Sequence, residues 1–417
     1  MAWTTRGVAA RCAWLAVVVA AAAPGPARAE PCELFGMNPG APLWDGNVLF
    51  DDSTAGAIAA LGARSVRINF RIDGAGWWDE PALARYDPIV DSASGAGLEP
   101  LGLVAYEATP YGQDVWNDDG DGDGINDYVV VFADAAEALI RHFHASGSVR
   151  TWEIWNEPDC WGADTYRDDP LHAGCTYLLP RVYGHLLAEV YLRVRDLVDS
   201  GEVSLVSGGL LGHDIGGSWT DATGYMAEVY AEGPWDWLQE NTGRRYPWDR
   251  FGYHFYINQS EPLDTGRLQA YLDAVRALQA EQWDGSPLWI TEFGWATEGG
   301  FDPWTQADNL AAAIEVLAAR DDVERAFWYK VRDVPEEPSS WGVLYSDWSW
   351  KPAAERYAAL ASTCETWAPV PKSGGGGDAM GLELVGACRA APGPGAAPVW
   401  VAAVLALALM RGRRRER

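Results

Sequence analysis

The sequence predicts an α/β fold, a (β/α)₈ barrel of the TIM type, as a single domain over residues 32–364. Three observations predict it. Short apolar, β-branched runs alternate with amphipathic segments throughout this stretch. There are eight such runs, and the length suits one barrel. The most distinctive polar residues gather where those runs end, which is where a parallel barrel opens its functional face.

The strand candidates are 34–38, 65–70, 98–104, 151–155, 204–208, 251–255, 288–292 and 326–330. Helical patterns lie at 52–61, 83–93, 128–143, 183–198, 264–279 and 304–319. Residues 212–250 are rich in Trp, Gly and Asp and lack a clear period. They read as a long loop capping the mouth. No internal repeat is visible.

Both ends lie outside the barrel. Arg6 and Arg11, a short apolar run over 12–23 and Ala27-Arg28-Ala29 form a secretory signal peptide, residues 1–29. The run is short for a membrane span, and Pro24-Gly25-Pro26 follows at once. Residues 365–388 form a Gly-rich linker that includes Cys388. Residues 389–417 hold an apolar run over 396–410 and then a cluster of arginines. Cysteine, apolar run and arginines in that order resemble the tripartite sorting tag of myxobacterial surface proteins. The plainer reading is a C-terminal membrane anchor. Both place the folded part outside the cytoplasm, secreted and held at the cell surface.

Charge and cysteines fit that placement. The chain has 31 basic and 59 acidic residues, a net charge of −28. Without 1–29 and 389–417, which carry nine arginines and one glutamate, the body has 22 basic and 58 acidic residues. Such a body repels nucleic acid and anionic surfaces. A neutral polymer is the more comfortable partner, and some of the 23 tryptophans offer flat faces to sugar C–H groups, though most belong in the core. Four cysteines remain in the body: Cys32, Cys160, Cys175 and Cys364. Three pairings are open. Cys160–Cys175 would close one loop and Cys32–Cys364 would tie the two ends, and these two are favoured. No Cys/His pattern for zinc is present.

The chemistry gathers at the strand ends. The fourth strand runs Trp152-Glu153-Ile154-Trp155-Asn156-Glu157-Pro158, and the seventh runs Thr291-Glu292-Phe293-Gly294. A carboxylate at each would face the other across the mouth. Retaining cleavage of a glycosidic bond needs two carboxyls about 5–5.5 Å apart, one to protonate the leaving oxygen and one to attack the anomeric carbon.

Trp-Asn-Glu-Pro at 155–158 with Thr-Glu-Phe-Gly at 291–294 resembles the clan A glycoside hydrolases, most nearly family 39 and its polysaccharide-cleaving relatives. The resemblance covers about 35–360, and Lys351-Pro352 resembles the barrel's end in these relatives. It implies a retaining glycosidase acting on a β-linked oligo- or polysaccharide, with no cofactor for catalysis. Glu157 would be the acid/base and Glu292 the nucleophile. Asn156 would bond the sugar 2-hydroxyl. Arg67 and Tyr256 would keep Glu292 ionised. His254 would line the site and Trp328 would be the platform under the sugar. Tyr106 and Glu107 after the third strand and Pro39 after the first depart from many clan members and leave the donor sugar open.

Plainer readings stand beside these. Glu153 reads as a buried, paired carboxylate. His254 also suits a satisfied core histidine, Trp328 barrel filling, and Arg67 a partner of a structural acid. As a whole, the chain could be a non-catalytic carbohydrate-binding surface protein on the same barrel, or a calcium-held adhesion protein. The two glutamates favour the enzyme.

A second motif is independent. Asp119, Asp121, Asp123 and Asp127, with Gly124 at the sharp turn, follow the spacing of a calcium loop. Val130 stands where the bidentate Glu would be, and an acidic solvated loop is the alternative. The spacing suggests a structural calcium ion.

Overall fold

The computed structural model describes residues 31–159, 176–214, 219–259, 261–297, 302–335 and 340–366. The expected signal peptide and the expected Cys160–Cys175 bridge, nearly all of the linker, and the C-terminal segment lie outside the described residues. No helix among the described residues is long and apolar enough to cross a membrane.

Eight strands form a closed barrel: β1 (Phe35–Asn38), β2 (Ser65–Phe70), β3 (Glu99–Val104), β4 (Thr151–Asn156), β5 (Ser204–His213), β6 (Phe251–Tyr256), β7 (Leu288–Phe293) and β8 (Val323–Tyr329). Every neighbouring pair is parallel, and β8 closes on β1 with Asn38 opposite Tyr329. A main helix follows each strand: α1 (Asp52–Ala60), α2 (Asp87–Gly95), α3 (Asp127–Ala145), α4 (Pro180–Arg193), α5 (Thr223–Glu232), α6 (Thr265–Glu281), α7 (Pro303–Ala318) and α8 (Pro352–Thr363). The expected (β/α)₈ architecture is present.

Alternation along the strands makes two cores. Inward side chains Leu101, Val206, Trp289 and Phe327 fill the barrel. Outward ones such as Phe35, Ile68 and Ile290 pack beneath the helices. The helices carry local start signals. Asp51, Asn126, Asp264 and Asp302 each accept a hydrogen bond from a backbone N–H of the first turn.

One expectation changes here. Most of the described part of residues 212–250 is not loop. β5 runs on to His213, and α5 packs against α4 and α6 as the fifth helix of the outer layer. Its buried residues Tyr225, Met226, Val229 and Tyr230 repeat every three to four positions, a helical stripe. A further short helix, Trp235–Thr242, leads toward β6.

The barrel's ends are joined as expected. Cys32, ahead of β1, and Cys364, at the end of α8, form a disulfide with Cα atoms 5.1 Å apart.

Candidate active site

The site begins with a departure from strand geometry. Trp155 and Glu157 hold φ of 77° and 50°, in the left-handed region that side chains other than Gly enter at a cost of about 1–2 kcal/mol. The turn at Trp155 sends its indole out into a cluster with Tyr106, Trp116, Tyr128 and Phe132. Asn156 and Glu157 can then both reach the mouth, although they are consecutive. β5 makes room. A Cβ on Gly208 would lie 2.7 Å from the carbonyl oxygens of Ile154 and Trp155, and one on Gly209 would lie 2.1 Å from His254 Nε2.

Arg67, on β2, is the hub. Its side chain is 3% exposed. Nε donates to Glu153 Oε2 at 2.6 Å, Nη1 to Glu292 Oε2 at 2.9 Å and Nη2 to Asn156 Oδ1 at 2.7 Å. One guanidinium thus fixes two carboxylates and an amide from β4 and β7, a use of its fixed fork of donors. Glu153 also accepts from Gly209 N and from the Thr291 hydroxyl, at 3.0 and 2.7 Å. It is the buried, paired carboxylate that the sequence suggested.

Glu292 and Glu157 sit in unlike surroundings. Glu292 accepts three side-chain hydrogen bonds: from Arg67, from Asn38 Nδ2 at 3.3 Å and from the Tyr256 hydroxyl. Glu157, among the described residues, faces only His254, whose Nδ1 is 3.0 Å from Oε1. Burial pushes Glu157 up to about 7, although Arg67 opposes this. Burial also raises Glu292, opposed by the Arg67 guanidinium and by the Tyr256 hydrogen bond. An oxygen of Glu157 and one of Glu292 lie within 4.8 Å of each other.

His254 is completely buried, and burial lowers its pKa to about 4, so the ring is neutral. The network assigns its tautomer. The hydroxyl proton of Thr291 goes to Glu153, so the Thr291 oxygen accepts from Nε2–H of His254 at 3.0 Å. Nδ1 then presents a lone pair to Glu157, whose carboxyl supplies the proton.

Residues 221–354, which include β6, β7 and β8 with His254, Tyr256 and Glu292, match the family model described as glycosyl hydrolase catalytic core. This stretch of the barrel is similar to a glycosyl hydrolase catalytic core. Among solved structures the barrel resembles a family 1 β-glucosidase from Thermotoga maritima, with TM-score 0.55 and 13% identity over 81% of this chain and 99% of that one. It also resembles a family 39 glycoside hydrolase from the gut symbiont Bacteroides cellulosilyticus WH2, with TM-score 0.53 and 17% identity over 82% of this chain and 66% of that one. Both are likenesses of fold. No curated protein sequence matches the chain.

The structure brings together Glu157, Glu292, Arg67, Asn156, His254 and Tyr256, but not Trp328. That indole is completely buried between Phe293 and Trp295, with its N–H directed to the carbonyl of Trp341. It points toward the helices and cannot lie under a sugar. The next residue, Tyr329, lines the cleft instead. Strand parity carries that signal. Phe327 fills the barrel interior, so Tyr329, two residues on, faces the same way. Asn38, Asn69, Arg71 and Thr291 also belong to the site or its border and were not singled out by sequence.

The acidic loop is only partly as expected. Carboxylate oxygens of Asp119, Asp121 and Asp123 lie within 4.8 Å of one another, a hard-oxygen set that fits a calcium ion. Asp127 does not join them. It opens α3, behind the N-cap Asn126. Arg181 is ion-paired to Asp119 and would compete with an ion for that carboxylate.

Proposed function

We propose that the protein is a retaining glycoside hydrolase that cleaves O-glycosidic bonds of a β-linked oligo- or polysaccharide, with Glu157 as acid/base and Glu292 as nucleophile. The observation that carries this is the unequal sharing of hydrogen-bond donors. Three donors, one of them cationic, converge on Glu292 and favour its carboxylate form. Glu157 is desolvated, faces a neutral ring nitrogen and keeps its proton to about pH 7. Unlike environments divide two nearby carboxyls into a base form and an acid form.

The steps follow. Glu292 attacks the anomeric carbon while Glu157 gives its proton to the leaving oxygen, and the glycosidic C–O bond breaks. Glu157, now a carboxylate, takes a proton from water, which attacks the glycosyl ester and returns Glu292. No cofactor enters either step. Asn156, with Oδ1 held by Arg67, has its NH₂ to donate to the sugar 2-hydroxyl. Oxygens within 4.8 Å of each other are compatible with the close pair of carboxyls that retention uses. Secretion and a surface tether belong to the same proposal. They rest on the two chain ends, and the Cys32–Cys364 disulfide fits an oxidising compartment.

The test is to assay residues 30–370 against β-linked polysaccharides and aryl glycosides, with the first-formed anomer read by NMR. Product of the substrate's own configuration is expected. Inverted product contradicts the reading.

A further inference from the structure

Trp44 is half exposed, yet it is held in place from two sides. It lies in a small ribbon, Leu43–Trp44 paired with Asn47–Val48, whose turn places Asp45 and Gly46 at φ of 49° and 77°. The Asp73 carboxylate, from the loop after β2, accepts from both turn amides, Asp45 N at 2.9 Å and Gly46 N at 2.8 Å. On the ring itself, the Arg71 guanidinium sits 4.1 Å from the centroid. Arg71 is anchored in turn by Glu107 at 3.2 Å. A cation on one ring face leaves the other for a ligand.

An exposed indole gains little from such fixing in the free protein. Fixing does remove the ordering cost of binding a ligand. The surroundings suggest which ligand. Trp44 borders a cleft of about 310 Å³ whose walls include Glu292, Asn156, Asn69 and Tyr329. Glu157 is not among them. The leaving group departs on the Glu157 side, so this cleft receives the part of the substrate that stays on Glu292. Exposed aromatic side chains also favour this end of the barrel. Of nine among the described residues, seven lie in segments that follow a strand, and only Trp237 and Trp283 lie in segments that lead into one.

We infer that Trp44 is the stacking platform for a second sugar on the glycone side, so that the substrate is a chain with at least two sugar units before the cleaved bond. This rests on the glycosidase reading above. The test compares aryl glycosides of a β-linked disaccharide and of its monosaccharide, with the same leaving group. In the wild type kcat/KM is higher for the disaccharide. Trp44→Ala should lower the disaccharide-to-monosaccharide ratio about tenfold, the order of one aromatic contact. Trp44→Phe should restore much of it, and Asp73→Ala, which frees the turn, should lower it less. An unchanged ratio in Trp44→Ala overturns the inference.

A wild type that cleaves neither glycoside would defeat the glycosidase reading instead. Trp44 is then judged by gel migration through a soluble β-linked polysaccharide. Retardation of the wild type that is lost in Trp44→Ala supports the platform. Equal migration of the two proteins overturns it.

Discussion

Nδ1 of His254 lies 3.0 Å from Oε1 of Glu157, while Nε2 lies 3.0 Å from the hydroxyl of Thr291. Because Thr291 spends its proton on Glu153, the lone pair of Nδ1 faces Glu157. A bond that only the acid form of a carboxyl can make raises its pKa, in the same direction as burial. In the proposed mechanism, His254 thereby holds the proton that Glu157 gives to the leaving oxygen.

The pH dependence follows. A carboxyl raised to about 7 is protonated below that value and loses its proton above it. The log kcat/KM profile should fall as pH rises through about 7. In His254→Phe the alkaline limb should move to lower pH, because the acceptor that favours the acid form is gone. A limb that stays in place or moves to higher pH contradicts the assigned tautomer.

The Cys32–Cys364 disulfide spans 332 residues and ties the segment before β1 to the end of α8. Constraint of so long a loop in the unfolded chain is worth on the order of 2–5 kcal/mol. The double variant Cys32→Ala/Cys364→Ala should melt about 3–7 °C lower than the oxidised wild type in thermal scans. Activity at 25 °C should persist, since neither sulfur approaches the mouth. A melting temperature within 1 °C of wild type would show that the tie adds nothing.

The acidic loop makes a separate prediction. Calcium bound by Asp119, Asp121 and Asp123 would stabilise only the folded state, so the melting temperature should rise with added calcium and fall with chelator. Asp121→Ala should abolish both responses, and Arg181→Ala, by freeing Asp119, should enlarge the rise. A wild type indifferent to calcium and chelator alike removes the site.

Much of the barrel could be read in sequence because its strands alternate so cleanly. All eight were anticipated, seven of them within three residues at each bound. The exceptions have physical causes. β5 continues through Gly208, Gly209 and Gly212, which look like turn residues but leave space for the bend at Trp155, for His254 and for the Tyr253 hydroxyl in turn. α5 was hidden among Trp, Gly and Pro. At the mouth, Glu157 and Glu292 were legible because their motifs are local. Trp328 was chosen over Tyr329, which lines the cleft, because the larger aromatic outweighed the parity set by Phe327. The fixing of Trp44 depends on Asp73, Arg71 and Glu107 from other loops, and no linear pattern reports that juxtaposition.

The central claim is the division of labour between the two glutamates, and azide rescue tests it most directly. The measurement is kcat/KM of Glu157→Ala and Glu292→Ala on an aryl glycoside with a good leaving group and on the natural linkage, with and without azide. Loss of the acid should slow the natural linkage by roughly 10²–10⁴-fold. The aryl substrate needs little acid help, so Glu157→Ala should still form the glycosyl-enzyme, and azide should release it as a β-glycosyl azide. Glu292→Ala forms no such ester and should be nearly inert on both substrates. Near wild-type activity in Glu292→Ala, or no glycosyl azide of retained configuration from Glu157→Ala, would contradict the assignment.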